Sequence, residues 1–85
     1  MVNKKNQRTL SRIIERPNRP DIPWKDIERL IVALGGEISE GRGSRVRIHL
    51  NGVRAVFHRP HPERVTDKGA VSSMRRFLTE AEVIS

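Results

Sequence analysis

Residues 45–64 hold all three histidines of the chain and five of its arginines. Histidine transfers protons near neutral pH, because its ordinary pKa lies there. Arginine holds phosphate with a planar fork of donors that stays charged. Together they suit proton transfer beside a bound phosphate group, chemistry that takes a base, an acid and fixed positive charge. The chain has no cysteine, which removes thiolate zinc sites, disulfides and cysteine nucleophiles together.

These side chains must be positioned, and the stretch from Gly43 to Pro62 is built to do so. Two alternating runs, Arg45–Leu50 and Val53–His58, flank Asn51-Gly52. Asn-Gly is the pair preferred by a type I′ turn, in which both central residues take φ > 0. A two-residue loop sets the register, so Leu50 faces Val53, Ile48 faces Ala55, Val46 faces Phe57 and Arg45 faces His58. One side of the hairpin is then apolar: Val46, Ile48, Leu50, Val53, Ala55 and Phe57. The other carries Arg45, Arg47, His49, Arg54, Val56 and His58. Arg45 and His58 sit with Cβ atoms about 5 Å apart. His49 shares their face about 13 Å further along.

The net charge of +7 is unevenly placed. Residues 1–20 carry six Lys/Arg against one Glu, and residues 45–64 carry five against one, whereas residues 21–44 are acidic and residues 65–85 balance. A basic arm plus a basic hairpin face implies a polyanionic partner, most plausibly nucleic acid. No apolar run approaches the ~18 residues of a membrane span, and no signal-peptide core follows the N-terminal basic residues. A cytoplasmic, membrane-free protein is the expectation.

Around the hairpin, Met1–Asn6 is expected to fray, and Gln7–Arg16 has Leu10, Ile13 and Ile14 at helical spacing. A helix of about ten residues does not persist alone in water, so docking on its own domain or on a second copy as a homodimer is the expectation, with an RNA-binding arm as the alternative. Lys4, Lys5, Arg8 and Arg12 are expected to face solvent. Pro17–Pro20 is a linker, and the boundary it implies divides a basic arm, residues 1–20, from a domain, residues 21–85. Asp21 is the expected N-cap of the next helix, with Ile22-Pro23 in its first turn. Trp24, Ile27, Leu30, Ile31 and Leu34 form its buried stripe, and Gly35-Gly36 ends it. Trp24 reads as core rather than as a base-stacking platform.

Glu37–Glu40 reads as a short strand and Gly41–Ser44 as a turn. That turn lacks GxxxxGK[ST] and no helix follows it, so nucleotide binding is rejected. Beyond the hairpin, Arg59-Pro60-His61-Pro62 is too stiff for a central strand and suits holding His61 in place. Thr66 or Asp67 can cap a last helix with Val71, Met74, Phe77 or Leu78, and Ala81 buried; Arg75 and Arg76 fall off that stripe, toward solvent. Sheet and helices must share one core. The fold expected is α+β, a two-layer sandwich with a three-stranded antiparallel sheet, helices on one face and an extra N-terminal helix.

Helix, three antiparallel strands, helix is also the order of a double-stranded-RNA-binding domain. More narrowly, the run from Ile22 onward resembles the HicA family of toxin–antitoxin systems. The matching features are the helix ending in Leu34-Gly35, Gly43-Ser44 opening a strand, Pro60-His61 after the next strand, and Gly69 eight residues beyond His61 opening the last helix. The resemblance implies a small RNase that cuts mRNA without metal or cofactor and is neutralised by a HicB-like antitoxin. It also implies a catalytic histidine directly after the Gly-Ser pair. Here that position is Arg45 and the next is Val46, so the sequence is divergent at the family histidine.

The candidate catalytic set is therefore His58, His61 and Arg45. His58 approaches the family's catalytic point from the neighbouring strand, and His61 lies in the family's proline–histidine region. Gly43, Ser44, Arg47, His49, Arg54, Arg59 and Lys68 are the candidate RNA contacts; the Gly43 and Ser44 amides can meet a phosphate. Three functions stay open: a HicA-like RNase, a catalytically inactive RNA-binding domain on the same scaffold, and an interaction domain whose basic face meets an acidic protein such as the antitoxin. No helix combines strong basicity with polar base-reading side chains, so DNA reading is disfavoured.

Overall fold

The hairpin forms as its alternation dictates. In the computed structural model, which describes residues 3–61 and 63–84, β3 (Arg45–Leu50) pairs antiparallel with β4 (Val53–His58) in the expected register, from Leu50 opposite Val53 to Arg45 opposite His58. Asn51 and Gly52 take φ of 50° and 81°, as a type I′ turn requires. Met1, Val2, Pro62 and Ser85 lie outside the described residues, and with Pro62 lies the expected stiffening of the 59–62 segment.

Strand β2 (Glu37–Glu40) adds to the other edge of β3, giving a three-stranded antiparallel sheet in the order β2-β3-β4. Its apolar side carries buried Val46, Ile48, Leu50 and Phe57. Two helices cover that side. Helix α2 (Trp24–Ala33) buries Trp24, Ile27, Leu30 and Ile31. Helix α3 (Lys68–Glu80) buries Val71, Met74 and both Phe77 and Leu78. The rings of Trp24, Phe57 and Phe77 join the three elements, at centroid distances of 5.8 Å and 6.3 Å. Trp24 is thus core. Helix α2 ends where Gly35, at φ 90°, takes a left-handed conformation that other residues resist.

Helix α3 runs beside the hairpin. Asp67 caps its start by accepting the Ala70 amide at 2.8 Å, and Gly69 near that start borders the same groove as His58. At the other end the Asn51 side chain donates to the Ala81 carbonyl at 2.8 Å. The turn asparagine therefore tethers the hairpin tip to the helix C-terminus.

Three expectations need correction. First, Asp21 does not cap α2. Ile22–Pro23 is instead a strand, β1, paired antiparallel with Val65–Thr66, β5, and the Trp24 amide extends the ladder by donating to the Arg64 carbonyl. The extended Pro23 backbone (φ −61°, ψ 131°) stands at the cap position without a side-chain cap bond, and Asp21 pairs with Arg19. Second, the first helix, α1, spans Lys4–Ile14 rather than starting at Gln7, because the Asn3 side chain accepts the Asn6 amide and caps it. Its inner face is Asn6, Thr9 and Ile13, while Ile14 is exposed. Third, Arg75 does not face solvent: its guanidinium donates to the carbonyls of Ile13 and Glu15 and to Asn18 Oδ1. It holds the end of α1 against α3 in the same chain. The fold is α+β and consistent with a double-stranded-RNA-binding domain carrying an additional N-terminal helix.

Candidate nucleic-acid interface

The sheet face left uncovered by helices is the one on which many of the candidate residues lie. Glu37 and Ser39 of β2, Arg45, Arg47 and His49 of β3, and Arg54, Val56 and His58 of β4 share it by register. All are exposed except His49, which is half-buried between Glu37 and Arg54. Val56 keeps 58% of its surface open at the centre of this face, an apolar island among arginines. Across Arg47, His49 and Arg54 the surface dips into a groove of about 440 Å³.

The start of β3 is the most constrained part of the face. The turn before it is closed by Arg45 N–H donating to the Arg42 carbonyl at 3.0 Å and Gly41 N–H donating to the Arg45 carbonyl at 2.9 Å. Neither bond uses the amides of Gly43 or Ser44. Ser44 Oγ lies 3.5 Å from His58 Nδ1, and the Ser44 carbonyl accepts the Arg59 amide at 2.8 Å. His58 thus has Arg45 opposite it and Ser44 at its Nδ1 edge, which leaves Nε2 directed away from that contact. Unliganded sites often hold such contacts at the long end of hydrogen-bond range.

Beneath this corner, on the helix side of the sheet, Arg59 forms a latch. Its Nε donates to Glu28 of α2 at 2.9 Å, and its Nη1 donates to Glu40 at the end of β2. The same Glu28 oxygen accepts the Trp24 indole N–H. The hydrogen bond to Arg59 holds the Glu40 carboxyl below its ordinary value, and the two carboxylates, Glu40 foremost, push Arg59 higher still. Arg59 therefore ties β4, β2 and α2 together, with two of its donors engaged by carboxylates.

The remaining candidates are spread out. His61 is exposed beyond β4 and makes no hydrogen bond or ion pair among the described residues. Lys68 is exposed at the first turn of α3, its carbonyl accepting from Asn18. His49 lies at the far end of the face from His58, four residues along the strand from the Arg45 position. Among the described residues no group of three His, Cys, Asp or Glu side chains converges to hold a metal ion.

One feature beside His58 was not expected from the sequence. Between β4 and α3 runs a groove of about 410 Å³, bordered by His58, Gly69, Ser73 and Arg76 among others. Gly69, Ser73 and Arg76 follow one another at helical spacing on a stripe adjoining the buried one, so the pattern was present in the sequence. What the sequence does not reveal is that this stripe lies along the β4 edge.

No helix of the described residues is long and apolar enough to cross a membrane. Neither a curated protein nor a solved structure matches the chain significantly. A family model does match, over residues 24–83, and its description is the HicA toxin of bacterial toxin–antitoxin systems.

Proposed function

This chain belongs to the HicA toxin family of bacterial toxin–antitoxin systems, and from that membership we propose that it cleaves mRNA at the corner where β3 begins. The observation that carries the reading is the juxtaposition of Ser44, Arg45 and His58 on one exposed rim, with Ser44 Oγ 3.5 Å from His58 Nδ1. Ser44 orients the imidazole so that Nε2 faces the substrate. Nε2 takes the proton of a ribose 2′-hydroxyl, whose oxygen bonds to the adjacent phosphorus while the bond from phosphorus to the 5′-oxygen breaks. Arg45, with the Gly43 and Ser44 amides, neutralises the charge that gathers on the phosphorane oxygens. The leaving 5′-oxygen is protonated in turn, by His61 or by the imidazolium. The products are a 2′,3′-cyclic phosphate and a 5′-hydroxyl, and no redox partner enters. Arg47 and Arg54 grip flanking phosphates, and a HicB-like antitoxin neutralises the activity by covering this face.

A second reading has its own support: Arg45 stands where the resemblance places the family histidine. On that reading the protein binds RNA, or its antitoxin, without cutting. One experiment separates the two. Purified protein is incubated with single-stranded RNA beside His58→Ala and His61→Ala variants, and product ends are identified. Cleavage to cyclic phosphate ends that collapses in His58→Ala supports the RNase. Salt-sensitive RNA binding with no cleavage at any pH selects the binding domain. Undiminished cleavage in both variants removes the histidine assignment.

A further inference from the structure

We infer that RNA held on the sheet face continues as a single strand over α3, on a second pair of cations formed by Arg76 and Arg16. The inference rests on the RNA reading above and extends it from the scissile step to the path of the chain beyond. Arg76 borders two grooves. One is the groove of about 410 Å³ it shares with His58 on the β4 side of α3. The other, of about 300 Å³, lies on the opposite flank of α3 and is bordered by Arg16, Ser72 and Thr79. A chain leaving His58 thus meets Arg76 on the crest of α3 and Arg16 beyond it.

The disposition of the other arginines in this region singles these two out. Arg59 is engaged by Glu28 and Glu40, Arg19 by Glu15 and Asp21, and Arg75 by two carbonyls and Asn18. Arg16 and Arg76 are exposed and form no ion pair among the described residues. Glu15, the carboxylate next to Arg16 in the chain, is drawn off by Arg19. Glu80 borders both grooves, and Asp67, which caps α3, borders the first; against these two carboxylates stand Arg16, Arg75 and Arg76, so the linings of the path stay net positive. Arg8 and Lys5 of α1, the helix that precedes Arg16 in the chain, are exposed as well, and α1 lies outside the residues matched by the family model. The path is a ridge, since a helix with its side chains is about 10 Å across. A duplex, stiff over lengths on the order of 50 nm in the case of DNA, follows such a ridge only at a bending cost, whereas a single strand turns around it readily.

The test uses the full chain and 2′-O-methyl RNA, which binds but cannot be cut. Affinities are measured by fluorescence anisotropy for a short strand of about four nucleotides and a long one of about twelve, across a salt series. The double variant Arg16→Gln/Arg76→Gln is expected to weaken the long strand about fivefold and leave the short one unchanged. It should also flatten the long strand's salt slope by about 1.4, which is about 0.7 for each of two lost phosphate contacts. A control, Lys25→Gln/Arg64→Gln, removes the same charge from the groove beside Trp24 and should leave both strands alike. Equal losses in control and test variants, or none in the test variant while the short strand still binds, would overturn this inference alone. Failure of the wild type to bind either strand would overturn the sheet-face reading, and this one with it.

Discussion

His58 stands directly opposite Arg45 at the first rung of the β3–β4 ladder, and its Nδ1 edge meets the hydroxyl of Ser44, the residue before that rung. Three side chains separated by up to fourteen positions in sequence thereby share one corner. If His58 is the base, His58→Ala should lower single-turnover cleavage by about 10²- to 10⁴-fold. Ser44→Ala should reduce the rate less and leave KM nearly unchanged, because it orients the base without holding substrate. Arg45→Gln should raise KM and lower kcat together, as Arg45 touches phosphate in both ground and transition states. A Ser44→Ala variant with wild-type turnover would separate the hydroxyl from the mechanism.

The Arg59 latch predicts an acid-sensitive component of stability. Glu40 is held below its ordinary value of 4.5 by its hydrogen bond from Arg59. A carboxylate depressed in the folded state binds fewer protons there than in the unfolded chain. Its stabilisation is therefore complete above the ordinary glutamate value and is lost as pH falls through the lowered folded value. Glu40→Gln should leave the urea midpoint at pH 3 closer to its pH 7 value than in the wild type. Since Glu40 is exposed, the difference should be small and should shrink in high salt.

Docking of α1 rests on Ile13, fully buried, and on the Arg75 bonds to the Ile13 and Glu15 carbonyls. Ile13→Ala should cost about 2–4 kcal/mol by equilibrium urea denaturation. Arg75→Ala should cost about 1–3 kcal/mol, chiefly through acceptors left unpaired. Both losses should be independent of protein concentration. A midpoint that rises with concentration would place α1 on a second copy of the chain instead.

Thr66 is buried in β5, and its Oγ1 finds no hydrogen-bond partner among the described residues. A buried hydroxyl without a partner costs free energy, and valine has nearly the same shape. Thr66→Val is expected to raise stability by about 1 kcal/mol, read as a higher urea midpoint at constant m-value. A destabilised Thr66→Val would mean that the hydroxyl has a partner in solution.

How much of this was legible in advance depends on the range of the physics involved. The hairpin and its register were legible because a two-residue Asn-Gly loop admits one pairing, and the alternation then assigns every side chain to a face. That alone set Arg45 against His58. The helical stripes of α2 and α3 were legible for the same reason: their period of 3.6 is a local property, and Trp24, Leu30, Val71 and Met74 are buried as it requires. Tertiary structure decided the rest. Ile22–Pro23 reads locally as the start of a helix, but a partner strand more than forty residues away draws it into a ladder. Arg75 and Arg76 are neighbours with the same local pattern. Arg75 reaches the end of α1, and Arg76 stands between two grooves, because the packing of α3 gives one a set of carbonyl acceptors and the other open solvent. Arg59 likewise reads as one more cation beside a histidine, until Glu28 and Glu40 arrive from two other elements to engage it. The sequence by itself determined which residues share a face, since that depends on periodicity. Which of the cations on this basic protein remain unpaired depends on where distant carboxylates and carbonyls come to lie, and only the packed chain decides that.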